Sequence, residues 1–288
     1  EKTEVLLALI RAINENKDYT NDNTTQHKLR FSDIEDKSNR KLMPIQGYAN
    51  EPLVPIEQAV EPLVSIIHDV MNQALWAKWK CDNPPANQLT TDQSAAIRLY
   101  SMEWEPQNKC LYFVLNATLR DENRQKLKPW FRYLKLLLTA LSRLPSSHRT
   151  VYRGVKRDLR SEYRREQMVY WWGFSSCTCR MDVLSNEQFL GSISARTLFT
   201  IECDSGKDIR QHSVYQNEDE ILLPPGRQFE VIACLPQGKD LCIIQLKETK
   251  SPVRLVELVP EITTTTTTSN TNSGFGQSPT FPFEIDQH

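Results

Sequence analysis

The 288-residue chain has no apolar stretch approaching the roughly 20 residues needed to cross a bilayer. Its nearest approach, Leu134 to Leu144, is interrupted by Lys135, Ser142 and Arg143, so no membrane span is expected. Charge of one sign is lacking as well. A net charge of -1 gives no long-range attraction to nucleic acid, and no Lys/Arg cluster is interleaved with aromatics as a base-stacking surface requires. Metal-ligand spacing is missing: Cys177-x-Cys179 is tight and isolated, and the five histidines are scattered. No Gly-x-Gly-x-x-Gly occurs, so any dinucleotide must bind outside a Rossmann crevice.

The seven cysteines are an odd number. Cys203, Cys234 and Cys242 sit in apolar strand-like runs and read as small core residues rather than disulfide partners, which favours a reducing compartment such as the cytoplasm. The chain opens at Glu1 rather than Met, which reads as a fragment or processed product, so a missing leader says nothing of secretion. Asn23-Thr-Thr25 and Asn116-Ala-Thr118 match the glycosylation acceptor pattern, but the second lies in a segment read as helix.

With 39% hydrophobic and 25% charged residues the chain can bury one substantial core with extensions at both ends. Residues 1–29 read as a polar extension and residues 30–260 as one domain. From Glu261 the composition collapses into Thr263 to Thr268 and then Ser, Asn, Gly and Pro, so residues 261–288 read as a disordered tail or linker. The apolar pattern Leu63, Ile66, Ile67, Val70, Met71, Ala74, Leu75 predicts a helix opening at Pro62. Thr91 and Asp92 can cap a second through Leu99; Cys110 to Arg120 offers a third, and Pro129 opens a fourth through Leu141. After Ser147 the pattern turns to short β-rich runs: 150–155, 169–174, 197–203, 221–223, 229–234, 241–246 and 253–259. Helices followed by strands predict an α+β fold with an antiparallel or mixed sheet.

Three motifs lie in the strand-rich half. In Tyr215-Gln-Asn-Glu218-Asp-Glu220-Ile-Leu-Leu-Pro-Pro225, two carboxylates stand two residues apart before an apolar strand. In a strand that spacing aims Glu218 and Glu220 to one face and Asp219 to the other; the alternative is a solvated acidic loop. Val151-Tyr-Arg153-Gly154-Val155 reads as a strand bearing a guanidinium suited to a diphosphate, followed by a glycine that admits close backbone approach. Its alternative is a surface arginine. In Trp171-Trp-Gly-Phe-Ser175-Ser176-Cys-Thr178, aromatics lead into hydroxyls that can orient a glutamate, or that merely form a turn beside core aromatics.

In this order, Arg153, Ser176 and Glu218-x-Glu220 resemble the R-S-E class of mono-ADP-ribosyltransferases. Ser213 and Tyr215 precede the glutamates as in that family, and the helical segments at Ala95 to Tyr100 and Leu111 to Arg120 also look like it. The resemblance covers roughly Arg30 to Pro260, departing at Cys177 and Thr178, where a Thr-Ser pair is frequent. It implies a helical part packed on a two-sheet, mainly antiparallel core that grips NAD in a cleft between the sheets. Arg153 would contact the NAD phosphates and ribose, Gly154 the nicotinamide carboxamide, and Ser176 would position Glu220. Glu220, an exposed cleft carboxylate in this picture, would stabilise the oxocarbenium-like cation formed as nicotinamide leaves. Glu218 would select a guanidinium acceptor and take its proton, and Tyr215 would face the protein substrate. The implied partner is a protein with an exposed arginine, and the implied state a monomer without metal. An NAD glycohydrolase and a non-catalytic NAD-binding or interaction module are the alternatives.

Overall fold

The described residues of the computed structural model are 40–180, 195–237 and 240–258. The expected extension at 1–29 and tail at 261–288 lie outside them. The helices of the first half are α1 (Ile56–Val60), α2 (Val70–Trp79), α3 (Thr91–Ser101), α4 (Leu111–Arg120) and α5 (Phe131–Arg143). A capping box starts α3: Thr90 Oγ1 accepts from the Gln93 amide at 3.2 Å and Gln93 Oε1 from the Thr90 amide at 3.1 Å. The cap thus lies one residue before Thr91. Asp92 turns instead to the start of α1, accepting from the Ile56 amide at 3.0 Å and pairing with Lys78 at 2.8 Å.

The helix expected from Pro62 to Leu75 is broken. Glu61–Leu63 form a 3-10 turn, and Asp69 lies in the left-handed region at φ 62, its carboxylate accepting from the side chains of Asn72 and Gln73. An L-residue in that region cannot continue a right-handed helix, so α2 begins at Val70. Leu63, Ile67 and Val70 still reach the core, but from separate pieces, while Ile66 stays exposed. Pro129 likewise ends up in the 3-10 segment Arg124–Trp130, and α5 starts at Phe131. In α4 the side chain of Asn116 is buried, accepting from the Phe174 amide at 2.9 Å and donating to the Tyr100 hydroxyl at 3.2 Å. Committed to internal bonds, it offers no site for a glycan.

The strands are β1 (Ser146–Val155), β2 (Met168–Trp171), β3 (Ser175–Thr178), β4 (Arg196–Asp208), β5 (Glu220–Leu223), β6 (Arg227–Gln237) and β7 (Leu241–Thr249). Two expectations fail. The run 169–174 stops at Trp171, and the hydroxyl cluster after it forms its own strand, β3. Residues 253–258 make only one isolated parallel bridge, Val256 to Ile45, with Val259 outside the described residues. All seven strands share one hydrogen-bonded sheet in the order β1-β3-β5-β4-β7-β6-β2, rather than two separate ones. Every pairing is antiparallel except β4 with β7, and β1 also pairs with β4, so β1, β3, β5 and β4 close a ring.

Two apolar clusters fill the molecule. One joins the helices to Trp172, Phe174, Ile209 and Leu222, and the other lies among the strands, with Val151, Trp171, Cys177, Phe199, Ile221, Leu223 and Phe229. Because β5 sends Leu222 to the first and Ile221 and Leu223 to the second, it is covered on both faces. A doubly covered strand reads as a continuous apolar run, which explains Ile-Leu-Leu without alternation. All seven cysteines are free thiols, and Cys203 and Cys242 are buried core residues.

Candidate active site

Arginine is costly to bury unless its guanidinium is hydrogen-bonded. Arg153 on β1 is only 1% exposed, and its Nη1 donates to the Ser176 carbonyl oxygen on β3 at 2.7 Å. That bond ties the first motif to the second and excludes the surface-arginine alternative. Gly154, the next residue, is buried opposite Leu198 on β4.

Glu220 opens β5, where the antiparallel register sets it opposite Thr178, and Leu222 opposite Ser176. Opposed residues share a face, and so do residues two apart, so Ser176, Thr178 and Glu220 stand together on one face of the β3–β5 pair. The hydroxyl cluster is therefore a strand bearing on the glutamate, not a turn. Glu220 is 0% exposed, which corrects the exposed cleft carboxylate expected from the motif. The buried Ser176 hydroxyl has no hydrogen-bond partner among the described residues, so the expected bond from Ser176 to Glu220 is not formed.

Between these groups, Cys177 turns to the opposite face and into the strand core. Burial pushes its thiol up to about 12; Arg153 opposes that shift and Glu220 adds to it. The thiol is thus neutral and inert, flanked by a cation and an anion. The departure at Cys177 falls on the core face, away from the carboxylate.

Arg153 also lines a small cavity with Arg120, Tyr163, Trp171, Trp172, Gly173 and Ser175. Arg120 ends α4, and Gly173 makes room for it: a Cβ there would stand 3.3 Å from Arg120 Nη1 and 3.1 Å from Asn116 Oδ1. Paired guanidiniums are the groups that hold a diphosphate, but the cavity itself, about 20 Å³, has room for no more than a water. The one sequence signal for the second guanidinium is its place at the end of the helical segment Leu111 to Arg120, which resembles the family's.

The acidic pair departs from the strand picture. Gln216–Glu218 form a 3-10 turn and Asp219 takes the left-handed conformation at φ 48, so β5 begins only at Glu220. Strand alternation therefore does not relate Glu218 to Glu220. The turn sets Glu218 half-buried at the entrance of β5, its amide donating to the Tyr215 carbonyl at 3.2 Å and its own carbonyl accepting from Thr178 Oγ1 at 3.2 Å. Asp219 does face away, its carboxylate 2.7 Å from Arg210 and 3.5 Å from Arg180. Tyr215 is half-buried on the same loop, its amide donating to Ser213 Oγ at 3.1 Å. Among the described residues, no group of three or more acidic, Cys or His side chains could hold a metal.

A protein-family model for NAD:arginine ADP-ribosyltransferases matches residues 57–252, which include all of these residues. The chain belongs to that family. It is 38% identical over 152 residues to NAD(P)(+)--arginine ADP-ribosyltransferase 2 of Gallus gallus, covering 50% of this chain and 45% of that one. It is 26% identical over 223 residues to GPI-linked NAD(P)(+)--arginine ADP-ribosyltransferase 1 of Homo sapiens, covering 72% and 65%. The chain thus spans about half the length of the chicken relatives it matches. The family fold is shared by the crystal structure of the type III effector XopAI of Xanthomonas axonopodis pv. citri, with a TM-score of 0.50 at 18% identity over 70% of this chain and 91% of that one.

Proposed function

We propose that this chain moves ADP-ribose from NAD to an arginine side chain of a protein acceptor, releasing nicotinamide, and hydrolyses some NAD when water takes the acceptor's place. The observation that carries this reading is the β3–β5 register. It sets a buried carboxylate, Glu220, on the face of Ser176, with Arg153 two strands away on β1 and its guanidinium bonded to the intervening β3. The residues present fit NAD: among the described residues the buried Ser176 hydroxyl has no hydrogen-bond partner, and Arg120 and Arg153 line one small cavity, which a dinucleotide would have to extend toward solvent.

In this reading the β3–β5 pair and the longer β1-β4-β7-β6-β2 run are the walls of the NAD cleft. Arg153 and Arg120 hold the diphosphate, Gly154 offers its backbone to the carboxamide, and Ser176 orients Glu220 once the nicotinamide ribose is between them. Glu220 hydrogen-bonds the 2'-hydroxyl and stabilises positive charge on C1' as its bond to nicotinamide nitrogen breaks. A carboxylate held in a dry site does this without reorganising, where such charge stabilisation is strongest. A guanidinium with a pKa above about 12 is a poor nucleophile, so Glu218 binds it, aims a nitrogen at C1' and takes the proton released as the new bond forms. Tyr215 offers the incoming protein an aromatic surface. We further infer a monomer working in a reducing compartment.

Mass spectrometry of products from NAD and an arginine-containing peptide tests this. Wild type should add one ADP-ribose to arginine, Glu218→Gln should keep only hydrolysis, and Glu220→Gln should do neither. Free ADP-ribose and nicotinamide alone from wild type would favour a glycohydrolase, and no products at all a binding module.

A further inference from the structure

The loop 209–219 that brings Tyr215 and Glu218 to the site is not held by strand pairing. Its two ends are tied to the strands, the Ile209 amide donating to the Glu220 carbonyl at 3.2 Å and the Glu218 carbonyl accepting from Thr178 Oγ1, with Asp219 facing Arg180. Between those ends its bonds run to the helical layer, chiefly through His212, whose buried ring none of the proposed chemistry uses. His212 Nδ1 is 2.9 Å from Ser94 Oγ on α3, and Nε2 is 3.0 Å from Asn87 Oδ1 in the segment before α3. The last residue of α3, Ser101, accepts from the Val214 amide at 2.9 Å. Inside the loop, the amides of His212 and Ser213 both donate to the Ile209 carbonyl at 2.9 Å, and Ile209 itself packs into the helical cluster. The imidazole thus bridges two helical-layer segments immediately before the acceptor-reading residues. We propose that His212 is a positioning residue that clamps this loop to the helical layer and thereby sets the division between transfer to arginine and hydrolysis of NAD. This rests on the functional reading above.

Burial favours a neutral ring in this bridge. With Asn87 Oδ1 accepting, the proton sits on Nε2 and Nδ1 accepts from the Ser94 hydroxyl. Protonation would make Nδ1 a donor and oblige the Ser94 hydroxyl to turn and accept, and it would place a charge in a buried site beside Arg98. The charged groups facing the ring are Arg98, on α3, and Asp82, before Asn87; burial first and Arg98 second hold the histidine below its ordinary value of 6.5, against the opposing pull of Asp82. A depressed histidine pKa means that the unfolded chain binds the proton more readily. The clamp's stabilisation is therefore complete above 6.5 and is lost as pH falls from there toward the folded value. Glu220, held by strand register, depends on the clamp less than Glu218 does.

The experiment measures transfer to an arginine peptide and NAD hydrolysis for wild type, His212→Ala, His212→Gln and Ser94→Ala between acid and neutral pH, with hydrogen exchange of the 213–218 amides beside it. His212→Ala should lower the transfer-to-hydrolysis ratio about tenfold or more, since a misplacement near 1 Å can cost up to about 100-fold. It should also raise the acceptor KM and speed loop exchange. His212→Gln, which keeps a donor and an acceptor, should recover most of the ratio and lose the wild type's decline in acid. Ser94→Ala, a minimal truncation, should shift the ratio the same way by a smaller factor. Equal losses of both activities, or loop exchange that His212→Ala and Ser94→Ala leave unchanged, would overturn the clamp. Absence of transfer in wild type overturns the functional reading instead, and the exchange data still decide whether the loop is clamped.

Discussion

The proposed site has two halves that are built differently. Arg153, Ser176 and Glu220 stand on three adjacent strands, fully buried, their places set by main-chain ladders that nearly any side chains could form. Glu218 and Tyr215 stand half-buried on a loop whose shape depends on particular side chains: Thr178 on the Glu218 carbonyl, Ser101 on Val214, and Ser94 and Asn87 on His212. Ladder positioning is insensitive to most substitutions, whereas side-chain clamping can be altered one contact at a time. The half assigned to NAD chemistry is therefore the rigid one, and the half assigned to acceptor choice is the adjustable one.

The largest effect should come from the strand half. Glu220→Gln keeps the volume of a buried side chain, so it tests charge without opening a cavity, and it should lower both transfer and hydrolysis by roughly 100- to 1,000-fold. A melting temperature close to wild type must accompany that loss. If hydrolysis survives, the buried carboxylate is not the group that stabilises the sugar cation, and the two halves have been assigned the wrong way round.

Glu218→Gln sharpens the same division. Loss of a positioned base should cut transfer about 100-fold or more while hydrolysis stays within a few-fold of wild type. Steady-state rates for both products from one reaction mixture decide it. A parallel loss of hydrolysis would mean that the loop carboxylate serves NAD cleavage too, and the halves would merge.

Gly206→Ala perturbs the strand half without touching a proposed catalytic group. A Cβ there would stand 2.7 Å from Ile221 Cγ2 and 3.1 Å from Cys203 Sγ, so Ile221, next to Glu220, must move within a packed core. Overpacking of this kind costs about 1–3 kcal/mol, read as a lower thermal midpoint. Both activities should fall together, leaving the ratio of transfer to hydrolysis unchanged. A changed ratio would show that strain in β5 passes into the loop.

Much of the strand half was legible in the sequence. Apolar runs located six of the seven strands, and the motif order brought Arg153, Ser176 and Glu220 together, because a buried strand leaves a dense local signature. The merging of β2 with β3 into one run went wrong at Trp172–Phe174, where aromatics typical of a strand serve the helical core instead. The loop half was legible only as composition. Its spacing fitted a strand face, but Asp219 takes a left-handed turn that aspartate adopts more readily than most residues, and no local pattern announces it. Nothing local distinguishes His212 among five scattered histidines, because its partner Ser94 lies 118 residues away. Contacts of that span belong to the tertiary fold, and so did the break at Asp69, which a helical apolar period concealed.

Asp219 offers the smallest and most discriminating perturbation. Asparagine tolerates the left-handed region about as well as aspartate, so Asp219→Asn keeps the turn and removes only the charge that faces Arg210 and Arg180. Those arginines are about half exposed, and exposed pairs are worth only about 0.2–1 kcal/mol. Transfer, hydrolysis and their ratio should therefore stay within about threefold of wild type, with any difference shrinking as salt is added. Asp219→Val differs only in forcing a β-branched residue into that conformation, a genuine backbone conflict, and should depress the ratio as His212→Ala does. Were Asp219→Asn as damaging as His212→Ala, the loop would be held from its solvent side by charge rather than from the helical layer by the buried imidazole, and the adjustable half of the site would be tuned by ionic strength instead of by packing.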